Sequence, residues 1–326
     1  MTMAGLSELR SAAARIRLPE RGVLEVTGDD RARWLDGMLT NAVADLAVSG
    51  GCRALALTRT GRIVADPHVL ARDTAYWLEL EGTAIPALRE HLDSFLVADD
   101  VELRDTSAEW TRFAIEGPGA LAAWEQAGLA VPQPGGAAEA SVGGVSILAA
   151  AYSLSGLGGI QVFAPAASAE TVWQGLASAA DVDAAAVALE LVRIEQGEPR
   201  LGRELGPDVL PAEARLEAAV SETKGCYTGQ EVVARMRSRD RVSHLLVGLS
   251  FAGEPPAPGS PLEAEGKRRG EVTSAGQSDR FGPIGLGYVT RALAEPGTVL
   301  SAAGTDARVV ALPFDSSAVA APDEAR

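Results

Sequence analysis

Cysteine is nearly missing from this chain, with only Cys52 and Cys226 in 326 residues. Two thiols exclude a disulfide framework and a four-thiolate metal centre. Histidine is as scarce, and His68, His91 and His244 are too scattered to form one ligand set. No unbroken apolar run approaches the ~18 residues of a membrane span. No basic-then-apolar leader opens the chain, so a cytoplasmic protein of bacterial type without membrane attachment is expected. Positive charge is in the minority: 29 Lys and Arg face 44 Asp and Glu, a formal net charge of −15 and a pI near 4.7. That balance argues against a general nucleic-acid or membrane-surface binder, so an anionic ligand must be caught locally. No Walker, G-x-S-x-G or dinucleotide-binding fingerprint stands in a credible setting.

What is present suits a globular protein of two or three domains: 47% hydrophobic residues, 22% charged and a mean hydropathy of +0.08. The pattern predicts an N-terminal helix over 8–17, a strand over 21–27, and a helix with Trp34, Leu35, Met38 and Leu39 on its buried stripe. A hairpin over 53–58 and 62–70, a strand over 76–80 and a helix over 83–96 follow. The theme then partly repeats. Strands are expected at 110–115, 145–152 and 159–163, helices at 118–126 and 168–179, and a glycine-rich loop over 131–144. A helix over 187–196, with Val187, Leu191 and Ile194 inward, ends at Gly197. Beyond Val242, five short strands separated by Gly and Pro clusters argue for a small barrel. The fold class is α+β, with two related α+β units over 1–109 and 110–241 and a C-terminal small β-barrel over 242–326.

The stretch with most chemistry is Lys224-Gly225-Cys226-Tyr227-Thr228-Gly229-Gln230-Glu231. Thr228 and Glu231 have the spacing of a capping box, which places Cys226 two residues ahead of a helix N-cap. Helix-start potential and the Lys224 ammonium both favour a thiolate there. Arg235, Arg237, Arg239 and Arg241 follow, a basic island in an acidic chain. A buried structural cysteine and a solvated basic helix face are the plain alternatives.

These eight residues resemble the K-G-C-Y-x-G-Q-E signature of YgfZ-type folate-binding proteins. Those proteins serve iron–sulfur cluster assembly and repair and are relatives of the glycine-cleavage T-protein, an aminomethyltransferase. The segments 270–276 and 284–289 are similar to the family's barrel motifs, and 28–41 to its first helix. The resemblance implies a fold arranged around a central folate channel, with tetrahydrofolate as cofactor. It implies that Glu195, in Arg193-Ile194-Glu195-Gln196-Gly197-Glu198-Pro199, holds the pterin. A carboxylate accepts two parallel hydrogen bonds from an aminopyrimidinone edge as it does from a guanidinium. Tyr227, Gln230 and Arg235 are expected to help bind the folate. Asp66 falls where the T-protein has the aspartate that assists its folate chemistry, and Glu213 in a P-x-E element either orients the cysteine loop or caps a turn.

Three readings compete. In the first, the protein binds tetrahydrofolate and supports maturation or repair of [4Fe–4S] proteins, with Cys226 as working thiol, Lys224 as its activator, and iron–sulfur proteins or cluster carriers as partners. In the second it is a folate-dependent aminomethyl or one-carbon transferase using Asp66. In the third it is a ligand-binding scaffold with Cys226 as core filler.

Overall fold

The computed structural model of the chain describes residues 3–239 and 242–315. Its first half is built on two five-stranded antiparallel sheets packed face to face, each with helices on its outer side. One sheet has the order Gly51–Arg53, His68–Ala71, Tyr76–Glu81, Arg21–Thr27 and Glu102–Asp105. The period of two sorts its side chains cleanly. Leu24, Val26, Leu78 and Leu80 face the helices Arg31–Met38 and Ile85–Asp93, where Trp34, Leu35, Leu88 and Leu92 meet them. Val23, Leu70 and Trp77 point the other way, onto Leu148, Ala150 and Phe163 of the second sheet.

That second sheet has the order Ala14–Arg17, Trp110–Glu116, Gly159–Pro165, Val145–Ala150 and Ala137–Val142. Its outer face carries Phe113, Ile115 and Val162 against Trp124 and Trp173 of the helices Ala120–Gln126 and Ala169–Gly175. Two sequence expectations change here. The N-terminal helix is only Leu6–Ser11, and Ala14–Arg17 is a strand that pairs with Trp110–Glu116. Within the stretch read as a loop, Ala137–Val142 forms a hairpin with Val145–Ala150 across Gly143 and Gly144, both at positive φ. The hairpin expected over 53–70 divides into two ladders, Ala56–Leu57 with Ile63–Ala65 and Gly51–Arg53 with His68–Ala71.

Between the sheets and the C-terminal module lies a central helix, Ala186–Gln196. Leu189, Leu191, Val192 and Ile194 are buried against Leu6, Leu9, Ile16 and Leu18 on one side and Leu246, Ile284, Leu286 and Val310 on the other. Val187, expected inward, is 38% exposed, so the stripe runs through Ala188 and Leu191 instead. Gly197 ends the helix in the left-handed conformation, φ 74°, as its position predicts. The C-terminal module is a closed barrel of six strands: His244–Phe251, Gly282–Thr290, Lys267–Ser278, Pro261–Ala264, Val299–Ala302 and Thr305–Val310. The strand beyond the five expected is Pro261–Ala264. A leading proline suits the first position of a strand, where a missing N–H is tolerated. No helix among the described residues is long and apolar enough to cross a membrane.

The central helix packs into one core shared with the N-terminal segment and the barrel, and its buried residues are expected to carry its stability. Ile194→Ala, at a site 1% exposed, should cost about 2–5 kcal/mol. Val187→Ala on the same helix should stay within about 0.5 kcal/mol. Midpoints of urea unfolding check both.

Candidate functional site

Lys224 turns its side chain inward from the signature segment, 2% exposed. Its ammonium donates to the carbonyls of Leu39 and Asn41, each at 2.9 Å, and to that of Asp36. It also pairs with the Asp36 carboxylate at 3.1 Å. These carbonyls lie at and just after the end of the helix Arg31–Met38, where a helix leaves acceptors without partners. Lys224 therefore closes that helix as a C-terminal cation does. Burial lowers its pKa, with Asp36 acting in the opposite sense.

Around it the loop is tied down residue by residue. The Thr228 N–H donates to the Gly37 carbonyl at 3.1 Å. Tyr227 packs among Leu55, Leu57, Ile63 and Val233. Gly229 adopts φ 84° beneath the Thr58 carbonyl, where an added Cβ would come within 2.7 Å of that oxygen. The Thr228 N–H that the expected capping box would give to Glu231 goes to Gly37 instead. The helix runs Gln230–Arg239; the Gln230 N–H donates to the Tyr227 carbonyl at 3.2 Å, and Val232 and Val233 donate to the Gly229 carbonyl at 3.2 and 3.4 Å. Glu231, 88% exposed, pairs with Arg235 at 3.6 Å. Cys226 is left exposed at the surface of this otherwise anchored loop. Lys224 was expected beside its sulfur, but the ammonium faces Asp36 and the carbonyls. The thiol that feels the Lys224 charge is Cys52, half-buried, which burial pushes up to about 11 while Lys224 acts against the rise.

A second feature lies where the two sheets, the central helix and the segment after it converge. It is a cavity of about 220 Å³, lined by four arginines (Arg21, Arg53, Arg193, Arg200) and five carboxylates (Glu20, Asp66, Glu81, Glu190, Glu198). His68, Tyr152, Ser153, Leu154 and the apolar Leu18, Leu189 and Leu201 complete much of the wall. Every arginine is already committed. Arg21 holds Glu79 through two bonds of 2.5 and 2.6 Å and reaches Glu81 at 3.0 Å. Arg53 bridges Asp66, at 2.8 Å, and Glu198. Arg193 grips Glu190 at 2.7 and 2.5 Å, and Arg200 grips Glu81 at 2.9 and 3.0 Å. Such forks fix carboxylates in a plane and leave their outward lone pairs free to accept.

Electrostatics follow from the pairing. Burial alone would raise Glu79, but Arg21 and Arg112 outweigh it and bring it to about 2. Burial likewise opposes the lowering of Glu190, which its Arg193 hydrogen bond wins. Asp66 goes the other way, burial raising it despite Arg53. His68 stacks on Tyr152, ring centroids 3.7 Å apart, with Nε2 at 2.7 Å from the Gly135 carbonyl. Burial brings it down to about 4, so it is neutral near pH 7.

Of the residues singled out from sequence, Asp66 lines this cavity. Glu195, expected to hold the pterin, does not. Its carboxylate, 2% exposed, is gripped by Arg10 Nη2 and Nε at 2.5 and 2.9 Å and accepts from Ser278 at 2.7 Å. It lies on the buried stripe of the central helix, while Glu190, five residues earlier and about 140° around, turns toward the cavity. Tyr227, Gln230 and Arg235 are likewise not among the lining residues. Glu213 caps a turn, accepting the Leu210 N–H at 3.0 Å. The side chains of Arg237 and Arg239, and Arg241 altogether, lie outside the described residues. The cavity arginines were missed because an arginine in an acidic chain reads as surface. The signal available was helical phase, since Glu190 and Arg193 stand three apart on one face.

Comparison with known proteins adds two family matches. Residues 4–224 match the GCVT N-terminal domain, and residues 245–315 match the glycine cleavage T-protein C-terminal barrel domain. A chloroplastic protein of Arabidopsis thaliana that is named a transferase is 31% identical, over 88% of this chain and 67% of its own. The aminomethyltransferase of Streptomyces avermitilis is 30% identical, over 94% of this chain and 87% of its own. Among solved structures, the glycine cleavage system aminomethyltransferase T of Bartonella henselae superposes with a TM-score of 0.83 at 22% identity, covering 95% of this chain and 88% of that one.

Two outcomes are expected from this geometry. Iodoacetamide at pH 8 should label Cys226 and spare Cys52, whose thiolate fraction there is roughly one in a thousand. Peptide mapping reads the ratio, and Lys224→Met should preserve the order of labelling while costing about 2–4 kcal/mol of stability. The second concerns acid. The folded-state pKa of His68 lies below its unfolded value, so the unfolded chain takes the proton first. Its contribution is whole above about pH 6.5 and is lost as pH falls toward 4. His68→Gln should remove about 2 kcal/mol of the stability loss between pH 7 and pH 5, read from denaturant unfolding at each pH.

Proposed function

Because the chain belongs to the glycine-cleavage T-protein family through both its N-terminal domain and its C-terminal barrel, we propose that it binds tetrahydrofolate in the arginine–carboxylate cavity and serves iron–sulfur proteins through the Cys226 thiol, as a member of the YgfZ-type branch. The observation that carries this reading is the cysteine loop itself. Lys224, Tyr227, Thr228 and Gly229 are each fixed by a contact, and Cys226 between them faces solvent. A segment built so firmly around one exposed thiol is more than a core filler needs.

The residues of the cavity suit a pteridine ring. An aminopyrimidinone edge offers N–H donors, and Glu190, with its side chain 29% exposed and both oxygens in the fork with Arg193, would meet them with the lone pairs outside that fork. In this reading Glu190 takes the role expected of Glu195. Leu18, Leu189 and Leu201 supply apolar contact for the ring faces. With four arginines already matched against five carboxylates, the cavity does not favour the anionic tail, which is left toward solvent. Bound tetrahydrofolate supplies a reduced ring able to carry or give up a one-carbon unit. The cluster is cargo of the partner, met by one thiol in passing, since two cysteines do not make a resident cubane site.

Aminomethyl transfer is the second reading, favoured by the names of the relatives and by Asp66 in the cavity wall. Here Asp66 is already paired with Arg53, a poor arrangement for a base. Titration with tetrahydrofolate tests the proposal. Glu190→Gln should weaken binding at least tenfold, and Cys226→Ala should leave it unchanged while abolishing support of iron–sulfur enzymes in cells. Glycine-dependent formation of methylene-tetrahydrofolate with a lipoyl carrier would overturn it in favour of the transferase.

A further inference from the structure

Asp66 carries one cation of its own. Arg53, at the end of the strand Gly51–Arg53, donates from Nη2 to Asp66 Oδ2 at 2.8 Å and from Nη1 to Glu198. Nη2 also reaches the Pro199 carbonyl at 3.3 Å. The side chains of Arg53, Asp66 and Glu198 are 30%, 13% and 28% exposed. The guanidinium thus crosses the cavity wall from the first sheet to the segment that follows the central helix. Its backbone is fixed as well, the Arg53 carbonyl accepting from Asn41 Nδ2 at 3.0 Å.

The other charged groups that bear on Asp66 are Arg21 and Glu81. Arg21 is occupied by Glu79 and Glu81, and Arg200 by Glu81 and Glu190. His68 stands in the same wall, neutral near pH 7, and Tyr152 donates its hydroxyl to Glu79 at 2.7 Å. Only Arg53 makes an ion pair with Asp66 among the described residues.

A general base needs a lone pair directed at the proton it takes and a proton affinity matched to the task. A carboxylate locked in a part-buried guanidinium pair gives up the first, its lone pair held by a fixed partner. We propose that Arg53 is the residue that sets this cavity to hold a reduced folate without moving a one-carbon unit. It acts as a positioning residue, keeping Asp66 and Glu198 as fixed acceptors along the wall. The inference rests on the folate reading above and goes further, by assigning the binding-only character of the site to one side chain.

Full-length protein and its Arg53→Gln, Arg53→Lys and Arg53→Gln/Asp66→Asn variants test it with two readouts. The carboxyl ¹³C resonance of Asp66, identified by its loss in Asp66→Asn, is followed from pH 6 to 8 without folate. Tetrahydrofolate affinity is measured over the same range. The native protein is expected to show an ionised Asp66 and a flat affinity profile, and Arg53→Lys should follow it. Arg53→Gln leaves a carboxylate in the wall with no cation of its own. Its resonance should titrate within the range, and affinity should change at least threefold across it; the double variant should be flat again. An Arg53→Gln protein that keeps Asp66 ionised throughout, with an unchanged profile, overturns the inference. If the native protein binds no tetrahydrofolate, the folate reading fails and the resonance alone decides the role of Arg53 as lock on Asp66.

Discussion

Arg193 occupies the place where the sheets, the central helix and the barrel meet. Its guanidinium, 3% exposed, donates to Glu190, to Glu204 at 2.9 Å, to the Glu198 carbonyl at 3.1 Å and to Ser274 Oγ at 2.7 Å. Glu204, fully buried, also accepts from Thr273 at 2.8 Å, Ser274 at 2.6 Å and the Arg200 N–H at 3.1 Å. A buried pair of this kind adds little net stability over an apolar substitute, because desolvation offsets the attraction. Its effect is geometric. With all partners satisfied, only one docking of helix, following segment and barrel keeps every charge paired, and that docking shapes the cavity. Removing either partner would leave a charge alone in the interior, and the cavity wall would lose its registration along with the contact.

The same logic repeats one layer out. Glu79 on one sheet and Arg112 on the other are both fully buried, joined at 3.1 Å, with Arg112 lying 3.4 Å from the Phe163 ring centroid. Arg10 and Glu195 tie the N-terminal helix to the central one. The interior of this acidic protein is therefore crossed by arginines, of which Arg10, Arg21 and Arg193 each serve two carboxylates. Where one of these networks reaches the cavity, it presents oriented acceptors; where it does not, it holds elements together. Glu190 and Glu195 are one residue type on one helix, and a change of helical phase separates the two uses.

Local pattern was enough to find most of the architecture. Period-two alternation marked Arg21–Thr27 and Trp110–Glu116, and period 3.6 marked the helices around Trp34 and Leu88. What escaped was non-local. Ala14–Arg17 reads as helix because Ala and Arg favour one, and it becomes a strand through a partner about a hundred residues away. Pro261–Ala264 sits between turn-forming clusters and is a strand only because the barrel closes on it. At the site, the motif singled out Cys226, which is exposed, and the resemblance singled out Asp66, which lines the cavity. Neither revealed that Lys224 faces a helix end, or that the Thr228 N–H goes to the Gly37 carbonyl in place of Glu231. Those facts come from which backbone groups lie across from the loop, and no spacing in the chain encodes them.

The lysine clasp has a practical corollary. The chain contains two lysines, Lys224 and Lys267. Lys267 is exposed on the barrel, whereas Lys224 keeps its ammonium within a ring of carbonyl oxygens. An acylating reagent in the native buffer therefore finds one lysine at once and the other only when the loop lifts from the helix end. The slow arrival of a label on Lys224 would act as a clock for that opening, set inside the protein two residues from the exposed thiol.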